Sequence, residues 1–581
     1  MRKFVISGVY LLSVLSVLSV FSCSTKSQSA SDEDIRQTDA DTHYADDTET
    51  CRDFDNTDEN NDLIQTDMDV EQSDQDERCM ADDEYCRDFD NTDEDVVETD
   101  MDTEKTDSDV EKTLCEDAIC VSVDGNDITG TGSQTAPYKT ITKAIDVAES
   151  GKEICVSAGN YPETLVITKD NITIKGGFTP IEWKRNSTYY SNNDSLGALN
   201  ENNTKIISAA EAVITFDGTL SDMVFEGFTV ESTCNNGYSS SAITVKSGNP
   251  NISHNTLTGG NPTGGLLGLS SGSMSVGITI LAGSPHIHNN KIMGGEAIDT
   301  FTKLGKPTAM SAGIIIGKIS SQGADSTATP EIYSNWIVAG HSKDESTNGG
   351  NVGVGVYKNT GSVKIHSNVI RAGNNKYPTK TYGVLLSKNT GVVLYNNIVE
   401  GGTGTGQKVS IYLYDVTTAK IYNNTLDGGT STTTTAAIKL SGSFSTPEIK
   451  NNLLFCGSDI YNPVYEYNAN QTTPFAPVFE NNVVVGGNTG VSLVGGQNTS
   501  DALYKTASNI YLSSKTVADI GFVNYTAATF YDKDFHLTEA SKNIDGKNIT
   551  TAGEDLSTVF TVDKDGVART TSWSVGAYEL D

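Results

Sequence analysis

Positive charge is scarce in this sequence. The chain has 40 Lys and Arg residues against 76 Asp and Glu residues, which gives a formal net charge of −36. Such a chain repels the phosphates of DNA and RNA, so we exclude nucleic acid as a partner. From residue 119 to the end there are only three arginines, Arg185, Arg371 and Arg569. Few guanidinium groups are therefore available to build an active site in this part of the chain.

Proline and recognisable catalytic motifs are also lacking. There are 13 prolines against 54 glycines, a balance typical of a β-rich body with many tight turns. The sequence shows no nucleophile motif, no phosphate-binding loop and no cluster of residues at metal-ligand spacing. It therefore predicts no cofactor and no metal site, apart from one calcium alternative described below.

The first 22 residues are predicted to be an export signal. Met1-Arg2-Lys3 gives a basic start, an apolar stretch follows, and the small Ser22 precedes Cys23. The end of the stretch, Val20-Phe21-Ser22-Cys23, resembles the lipobox of bacterial lipoproteins, whose cysteine is lipidated and becomes the new N-terminus. The alternative is an ordinary signal peptide followed by a chance cysteine.

Lipidation of Cys23 predicts where the protein resides. Several acyl chains on one cysteine hold a protein stably in a membrane. Residue 24 is Ser and not Asp, which by resemblance to lipoproteins of bacteria with two membranes indicates the outer membrane. We therefore expect a lipid-anchored protein at the outer membrane or cell surface, with the membrane as its first partner.

An acidic segment spans residues 23–113. Residues 24–113 contain 34 acidic and 7 basic side chains and few apolar ones, so we predict a disordered stalk. The motif Cys-Arg-Asp-Phe-Asp-Asn-Thr-Asp-Glu occurs twice, beginning at Cys51 and at Cys86. Its alternating oxygen groups resemble a calcium loop, but the turn glycine and the glutamate at the twelfth position are missing. A duplicated spacer is the favoured interpretation, and calcium binding is the alternative.

A short pattern recurs in the rest of the chain: an aliphatic residue, one or two spacers, Asn, further aliphatic residues and Gly. Its eight copies place asparagines at positions 255, 290, 335, 368, 397, 424, 452 and 482. Each copy predicts two or three short strands, and such units bury their apolar faces only by stacking on one another. The asparagines are expected to adopt left-handed geometry and also to stack as a hydrogen-bonded ladder. We predict a β-solenoid over residues 114–505 and a closing segment over residues 506–581.

The flanks of the repeats carry longer motifs. They include Cys120-Val-Ser-Val-Asp-Gly-Asn-Asp, Ala136-Pro-Tyr-Lys-Thr-Ile and Trp183-x-Arg185. These motifs resemble the N-terminal cap of bacterial surface proteins of the DUF1565 type, and the repeats resemble the pectate-lyase-like superfamily. The resemblance implies an all-β fold, a right-handed parallel β-helix with an N-terminal capping helix. The superfamily includes polysaccharide lyases and hydrolases, so an enzyme is one of the expectations.

A helix is predicted after Pro137. Apolar residues then recur on one helical face, at Ile141, Ala144, Ile145 and Ala148. Laid across the first coil, this helix would protect an unpaired strand edge.

Eight cysteines remain besides Cys23, an even number that permits disulfides in an exported chain. Segments 119–123 and 154–158 read nearly alike and are expected to be neighbouring strands. In register, Cys120 and Cys155 would lie close enough to form a disulfide, which is a hypothesis.

The candidate catalytic residues are Arg371, Glu400 and Asp427. Each follows a repeat asparagine by three positions, so the three side chains are expected to stack as a column on successive coils. A solvated cross-coil salt bridge is the favoured interpretation, because exposed pairs of this kind are common and contribute only about 0–1 kcal/mol. Four histidines lie beside the turn asparagines, and their spread over several coils argues against a metal site: His254, His286, His288 and His366.

Two functions are consistent with these patterns. The favoured one is a non-enzymatic surface protein that binds a glycan or a protein, or serves as a spacer. Five tyrosines at outward positions are candidates for stacking on sugar rings: Tyr333, Tyr395, Tyr412, Tyr414 and Tyr422. The alternative is a polysaccharide lyase or glycoside hydrolase that acts on an acidic glycan.

Overall fold

The structure is a computed structural model. It describes residues 115–185, 204–235, 239–263, 273–298, 309–319, 324–343, 350–375, 380–416, 418–442, 446–457, 462–467, 477–486, 494–497, 504, 506–526 and 533–580. Within these residues no helix combines the length and the apolar character needed to cross a membrane. The predicted signal peptide, Cys23 and the acidic stalk with its calcium-like motif lie outside the described residues.

Three long parallel sheets form the body, and successive strands of each sheet come from successive coils. Sheet A consists of Ile119–Val121, Glu153–Ser157, Thr173–Phe178, Val224–Glu226, Asn251–Ser253, His286–His288, Glu331–Tyr333, Val363–His366, Thr390–Tyr395, Thr418–Tyr422, Glu448–Lys450 and Val478–Glu480. Sheet B consists of Leu165–Ile167, Ala212–Phe216, Ser239–Val245, Met274–Ile280, Met310–Gly317, Gly350–Tyr357, Lys380–Ser387, Lys408–Tyr414, Thr435–Ser441, Val464–Tyr467 and Val494–Gln497. Sheet C consists of Gly159–Tyr161, Thr204–Ser208, Thr229–Ser232, Thr256–Thr258, Lys291–Met293, Trp336–Val338, Val369–Arg371, Ile398–Glu400, Thr425–Asp427, Leu453–Phe455, Val483–Val485 and Ile510–Leu512. The predicted right-handed parallel β-helix is confirmed.

Small sheets lie where the coils lengthen. One pairs Glu296–Ile298 with His341–Lys343, and another joins Asn374–Asn375, Thr403–Gly404 and Thr430–Ser431. Both are parallel, so they extend the stacking of the coils outward.

Aliphatic columns fill the interior of the β-helix. One inward column of sheet B consists of Ile243, Ile278, Ile314, Val354, Val384, Ile411, Ile438 and Val464. All of these side chains are at most 1% exposed. Because like stacks on like, neighbouring coils bury apolar surface that no single coil could bury.

The repeated asparagines lie at the corner between sheets A and C. Each is buried, and its Nδ2 donates to Oδ1 of the asparagine in the next coil, as from Asn397 to Asn424 at 2.9 Å. The ladder begins at Asn255 and ends at Asn509, one coil beyond the last copy in the sequence pattern.

The left-handed conformation belongs to a different residue from the one predicted. It is adopted by the residue before each ladder asparagine, such as Asn396 with a φ of 54°. The expectation that one asparagine both turns the backbone and forms the ladder was therefore wrong. The ladder amide must point into the coil, so the reversal of the backbone falls to its predecessor.

The predicted capping helix is present as Ile141–Val147. Thr140 Oγ1 accepts a hydrogen bond from Lys143 N, and the Glu163 carboxylate accepts from the first two N–H groups of the helix. The predicted apolar face is buried, from Ile141 to Ala148. The helix thus covers the first coil and is itself capped by that coil.

The β-helix extends beyond the expected boundary at residue 505, because Ile510–Leu512 pairs with Val483–Val485. Residues 513–580 form what we call the closing segment. It contains the antiparallel pair Phe522–Asn524 and Asp534–Leu537 and the short 3-10 helices Val517–Asp519 and Glu539–Lys542.

The closing segment folds back over the corner between sheets A and C. Three asparagines with left-handed geometry hold it, because the Nδ2 of each donates to a backbone carbonyl of the closing segment. Asn396 donates to Val562, Asn423 to Ser574 and Asn451 to Glu554. Phe560 stacks on Tyr395 with 4.6 Å between the ring centroids. The doubled asparagines of these coils therefore serve two purposes, the ladder and the docking of the closing segment.

The disulfide joins Cys115 to Cys155, with a Cα–Cα distance of 6.1 Å. The hypothesis of a Cys120–Cys155 disulfide was wrong, although these two residues are in-register neighbours as expected. In-register side chains on parallel strands point in parallel directions, whereas Cys115 approaches Cys155 from a turn before the strand. Cys120 is a buried free thiol, and burial raises its pKa to about 12.

Replacing Cys115 with serine is expected to lower the free energy of unfolding by about 2–4 kcal/mol, because the disulfide closes a loop in the unfolded chain. Cys120→Ala, the control, removes a buried thiol that is in no disulfide and adds no polar group, so it is expected to cost only about 1 kcal/mol. Thermal denaturation without reductant measures both. Loss of the disulfide in the Cys120 variant, seen by mass spectrometry after thiol labelling, would contradict this pairing.

Candidate functional site

The predicted column of Arg371, Glu400 and Asp427 is present on the outer face of sheet C. The three residues are in register on successive strands. Arg371 and Glu400 form the expected cross-coil ion pair, but the pair is not solvated as expected, because the two side chains are only 14% and 5% exposed. We call these three residues the carboxylate column.

The closing segment covers the carboxylate column. The Tyr525 hydroxyl donates to Asp427 Oδ2 at 3.2 Å, and Gly429 N donates to Asp427 Oδ1 at 2.8 Å. Lys533 Nζ lies over the Tyr525 ring, 4.2 Å from its centroid. Glu400 is 4% exposed and Asp427 is 3% exposed. A polysaccharide therefore cannot reach either carboxylate while the closing segment is docked.

Burial changes the acidity of this cluster. It raises the pKa of Asp427 to about 6, and the neighbouring Glu400 carboxylate raises it further. The pKa of Tyr525 is also raised, by burial and by Asp427. The column thus pairs one carboxylate, Glu400, that Arg371 neutralises with a second carboxyl, Asp427, whose pKa burial holds above its usual range.

Sequence reasoning missed Tyr525 and Lys533. Tyr525 is separated from Asp427 by 98 residues and belongs to a segment outside the repeats. No spacing rule connects the two, so only the fold of the closing segment brings them together.

Replacing Asp427 with asparagine is expected to stabilise the protein more at neutral pH than at acid pH. A carboxyl with a raised pKa stabilises the fold when protonated, and this contribution is lost as the pH rises through about 6. The difference in unfolding free energy between variant and parent should shift toward the variant by on the order of 2 kcal/mol between pH 4 and pH 7. Denaturant titrations at several pH values measure it, and a difference independent of pH would contradict the burial of this carboxylate.

Aromatic rings form a second column, on the outer face of sheet A. His288, Tyr333, His366 and Tyr395 are in register on successive coils. Their rings stack nearly parallel, with centroid distances of 4.8, 5.2 and 4.6 Å and interplanar angles of 11°, 3° and 7°. We call these four residues the ring column. Because each ring face is covered by its neighbour, the rings present their edges and not their faces to solvent.

Polar and charged residues lie beside the ring column. Nitrogen atoms of three side chains lie close to the carboxylate oxygens of Glu331: His286 Nδ1 at 3.4 Å, Lys364 Nζ at 3.6 Å and His366 Nε2 at 3.6 Å. The side chains of His286 and Lys364 are 53% and 56% exposed. Burial lowers the pKa of His288 to about 4, and it also lowers the pKa of His366. Within the described residues the contacts of the closing segment with sheet A begin at Tyr395. The closing segment therefore leaves the coils of His288, Tyr333 and His366 uncovered.

The five candidate tyrosines therefore differ in their surroundings. Tyr422 is buried against the closing segment, and Tyr333 and Tyr395 belong to the ring column. Tyr412 on sheet B has Tyr382 stacked on it and Lys439 Nζ 4.8 Å from its centroid. Stacking on a sugar face is thus blocked for most of the set, and Tyr414 is the most exposed member.

One group in the described part of the chain has metal-ligand spacing, formed by Cys115, Glu153 and Cys155. The two cysteines are joined in the disulfide, so neither sulfur is a thiolate that could bind a metal. The histidines beside the asparagines do not converge with acidic residues into a second such group among the described residues.

Residues 123–327 match the family model DUF1565, described as a protein of unknown function. No curated protein matches the sequence. Among solved structures, the chain is similar to pectate lyase Pel9A at 14% identity, with a TM-score of 0.36 over 80% of this chain and 97% of the other. It is also similar to XylC in complex with xylose, at 12% identity and a TM-score of 0.35, over 80% of this chain and 98% of the other. A third similar structure is the A-module of the Azotobacter vinelandii mannuronan C-5 epimerase AlgE6, at 14% identity and a TM-score of 0.25, over 65% and 93%.

Within residues 123–327, Arg185 has a structural role. Its guanidinium donates to the carbonyl of Gly176 and to the Glu226 carboxylate, and it lies over the Phe178 ring. These contacts tie the first coils together on sheet A.

Proposed function

We propose that this chain is a cell-surface lipoprotein whose β-helix binds an extended polysaccharide along the outer face of sheet A, without catalysis. The observation that carries the proposal is the ring column with its exposed polar neighbours. From His288 to His366 it presents one polar ring edge per coil, and the contacts of the closing segment begin only at Tyr395, the next member of the column. We call this surface the open face, formed by Asn251, His286, His288, Glu331, Tyr333, Lys364 and His366.

The spacing of the open face favours a polymer as its ligand. Neighbouring coils of a β-helix are about 4.8 Å apart. That advance is close to the advance per residue of an extended pyranose chain, so successive sugars can meet equivalent ring edges on successive coils. The stacking fixes the ring planes before binding, which lowers the entropy lost when a ligand binds.

Binding is tested with the full chain in detergent, by affinity electrophoresis in gels that contain soluble polysaccharides. Retardation by at least one polysaccharide is expected, and the double variant His286→Ala, Lys364→Ala should weaken it by about 5-fold or more. Tyr414→Ala, on sheet B, is the matched control and should bind as the parent does. Equal mobility in every gel would overturn the proposal.

The anchor is tested separately. The lipobox and the acidic stalk support lipidation of Cys23, so Cys23→Ser should move the protein from the membrane fraction to the soluble fraction. Labelling with a fatty-acid analogue should mark the parent and not the variant. A parent chain without label would contradict the anchor and leave the open face untouched.

A lyase or hydrolase is the second candidate. It is favoured by the pairing of Glu400 and Asp427 on neighbouring coils and by the raised pKa of Asp427. It requires the closing segment to leave the carboxylate column, because both carboxylates are buried beneath that segment. Incubation of the full chain with acidic polysaccharides, with and without calcium, should then release unsaturated or reducing ends that Asp427→Asn abolishes. Product from the parent chain would replace the non-catalytic proposal.

A further inference from the structure

We infer that the polysaccharide bound by the open face is uncharged. The inference rests on the proposed function and narrows it to one class of ligand. The charged groups of the open face already have partners within the protein.

The fixed charges of this region are compensated within the protein. Lys364 Nζ lies 3.6 Å from Glu331, and Glu331 also faces His286 and His366. At the N-terminal end of the same sheet, Glu226 is paired with Arg185 at 2.7 Å. An acidic polysaccharide would need a surplus of cations, because each bound carboxylate or sulfate must be neutralised when it loses water.

The ring column adds no cation at neutral pH. Burial lowers the pKa of His254, His288 and His366, so these imidazoles are neutral there. Their nitrogens also have protein partners already, His288 Nε2 in Asn251 and the two His366 nitrogens in Glu331 and Ser367. The imidazoles therefore offer no charged donor to an acidic ligand.

Tyr333 is at the centre of the open face. Its ring is held between His288 and His366, so the hydroxyl is fixed in position. Among the described residues that hydroxyl has no hydrogen-bond partner, whereas His288 Nε2 already contacts Asn251 Oδ1 at 2.9 Å. A ligand hydroxyl therefore gains a hydrogen bond at Tyr333 without displacing a protein contact.

The test compares uncharged and acidic polysaccharides on the full chain in detergent. Soluble glucan, galactomannan and xylan form the uncharged set, and polygalacturonate and alginate form the acidic set. We expect binding to at least one uncharged polymer, with an affinity that changes less than about twofold between low and high salt, because screening acts on charged ligands.

Tyr333→Phe keeps the stacked ring and removes the hydroxyl, so it tests the site without disturbing the fold. It should weaken binding by about 5- to 10-fold, the loss of one hydrogen bond. Tyr414→Phe removes an exposed hydroxyl elsewhere and should leave binding unchanged. Circular dichroism of both variants should match the parent.

The possible results distinguish failure of the uncharged ligand class from failure of polysaccharide binding itself. Salt-sensitive binding of the acidic polymers alone would overturn the uncharged class and leave polysaccharide binding in place. Unchanged binding by Tyr333→Phe would overturn the assigned site. Failure of every polymer to bind would overturn the proposed function itself.

Discussion

Replacing Asn397 with alanine is expected to lower the free energy of unfolding by about 3–5 kcal/mol. Its Nδ2 faces the carbonyls of Ile365 and Tyr395 and the Oδ1 of Asn424, and its Oδ1 accepts from the backbone and side chain of Asn368. Alanine leaves these buried groups without partners in the middle of the β-helix. Each buried group without a partner costs about 1–3 kcal/mol. The total is smaller than the sum of these costs, because the surrounding residues relax in part.

Denaturant titration followed by circular dichroism measures this effect. Ser367→Ala is the matched control, since Ser367 has left-handed geometry in the neighbouring coil. Among the described residues, its hydroxyl has a single hydrogen-bond partner, His366. It should cost less than about 1 kcal/mol. A cost for Asn397→Ala as small as that of the control would show that the ladder does not stabilise the fold.

Replacing Arg569 with methionine is expected to cost a similar amount, about 3–5 kcal/mol, and to release the closing segment. The buried guanidinium donates to Asn396 Oδ1 at 2.9 Å and forms an ion pair with Glu579. It also donates to three backbone carbonyls of the closing segment, those of Ser574, Gly576 and Ala577. Methionine fills a similar volume but leaves the Glu579 carboxylate without its cation and the Gly576 carbonyl without its donor. The Ser574 carbonyl keeps Asn423 Nδ2 and the Ala577 carbonyl keeps Lys564 N.

Thermal denaturation and limited proteolysis together test the Arg569 prediction. The variant should be cut within residues 513–580 under conditions in which the parent is intact. Lys542→Met breaks an exposed ion pair with Glu539 in the same segment and should change stability by less than about 0.5 kcal/mol. Resistance of Arg569→Met to the protease would mean that the asparagine contacts alone hold the segment.

The fold followed from the sequence because its signal is repeated. Eight asparagines at similar spacing specify the coil, the corner and the register between strands. The apolar face of Ile141–Val147 likewise predicted the cap. Features that occur once were harder to predict, as Cys115 shows. Its turn conformation, with a φ of 81°, carries no repeated pattern that would place it against Cys155.

The site was predictable only in the part that the repeats encode. The common offset from the ladder asparagines placed Arg371, Glu400 and Asp427 in one column, and the strands confirm that register. Burial of the column depends on Tyr525 and its neighbours, which lie outside the repeats. The five tyrosines were expected at outward positions, but Tyr422 is buried against the closing segment. Alternation along a strand does not tell whether a ring is already covered by the next coil or by another segment.

The asparagine ladder has a direction. Every link passes Nδ2 of one coil to Oδ1 of the next, from Asn255 to Asn509. At its start, Asn255 Oδ1 accepts from Phe228 N, and at its end, Asn509 Nδ2 turns back to Phe479, Tyr504 and Thr506. Each interior link is the same as the one before it, while both ends are sealed by other groups. A coil added or removed in the interior of the ladder would therefore leave the groups at both ends unchanged. The number of coils sets the length of the ladder, and the two ends close it whatever that number is.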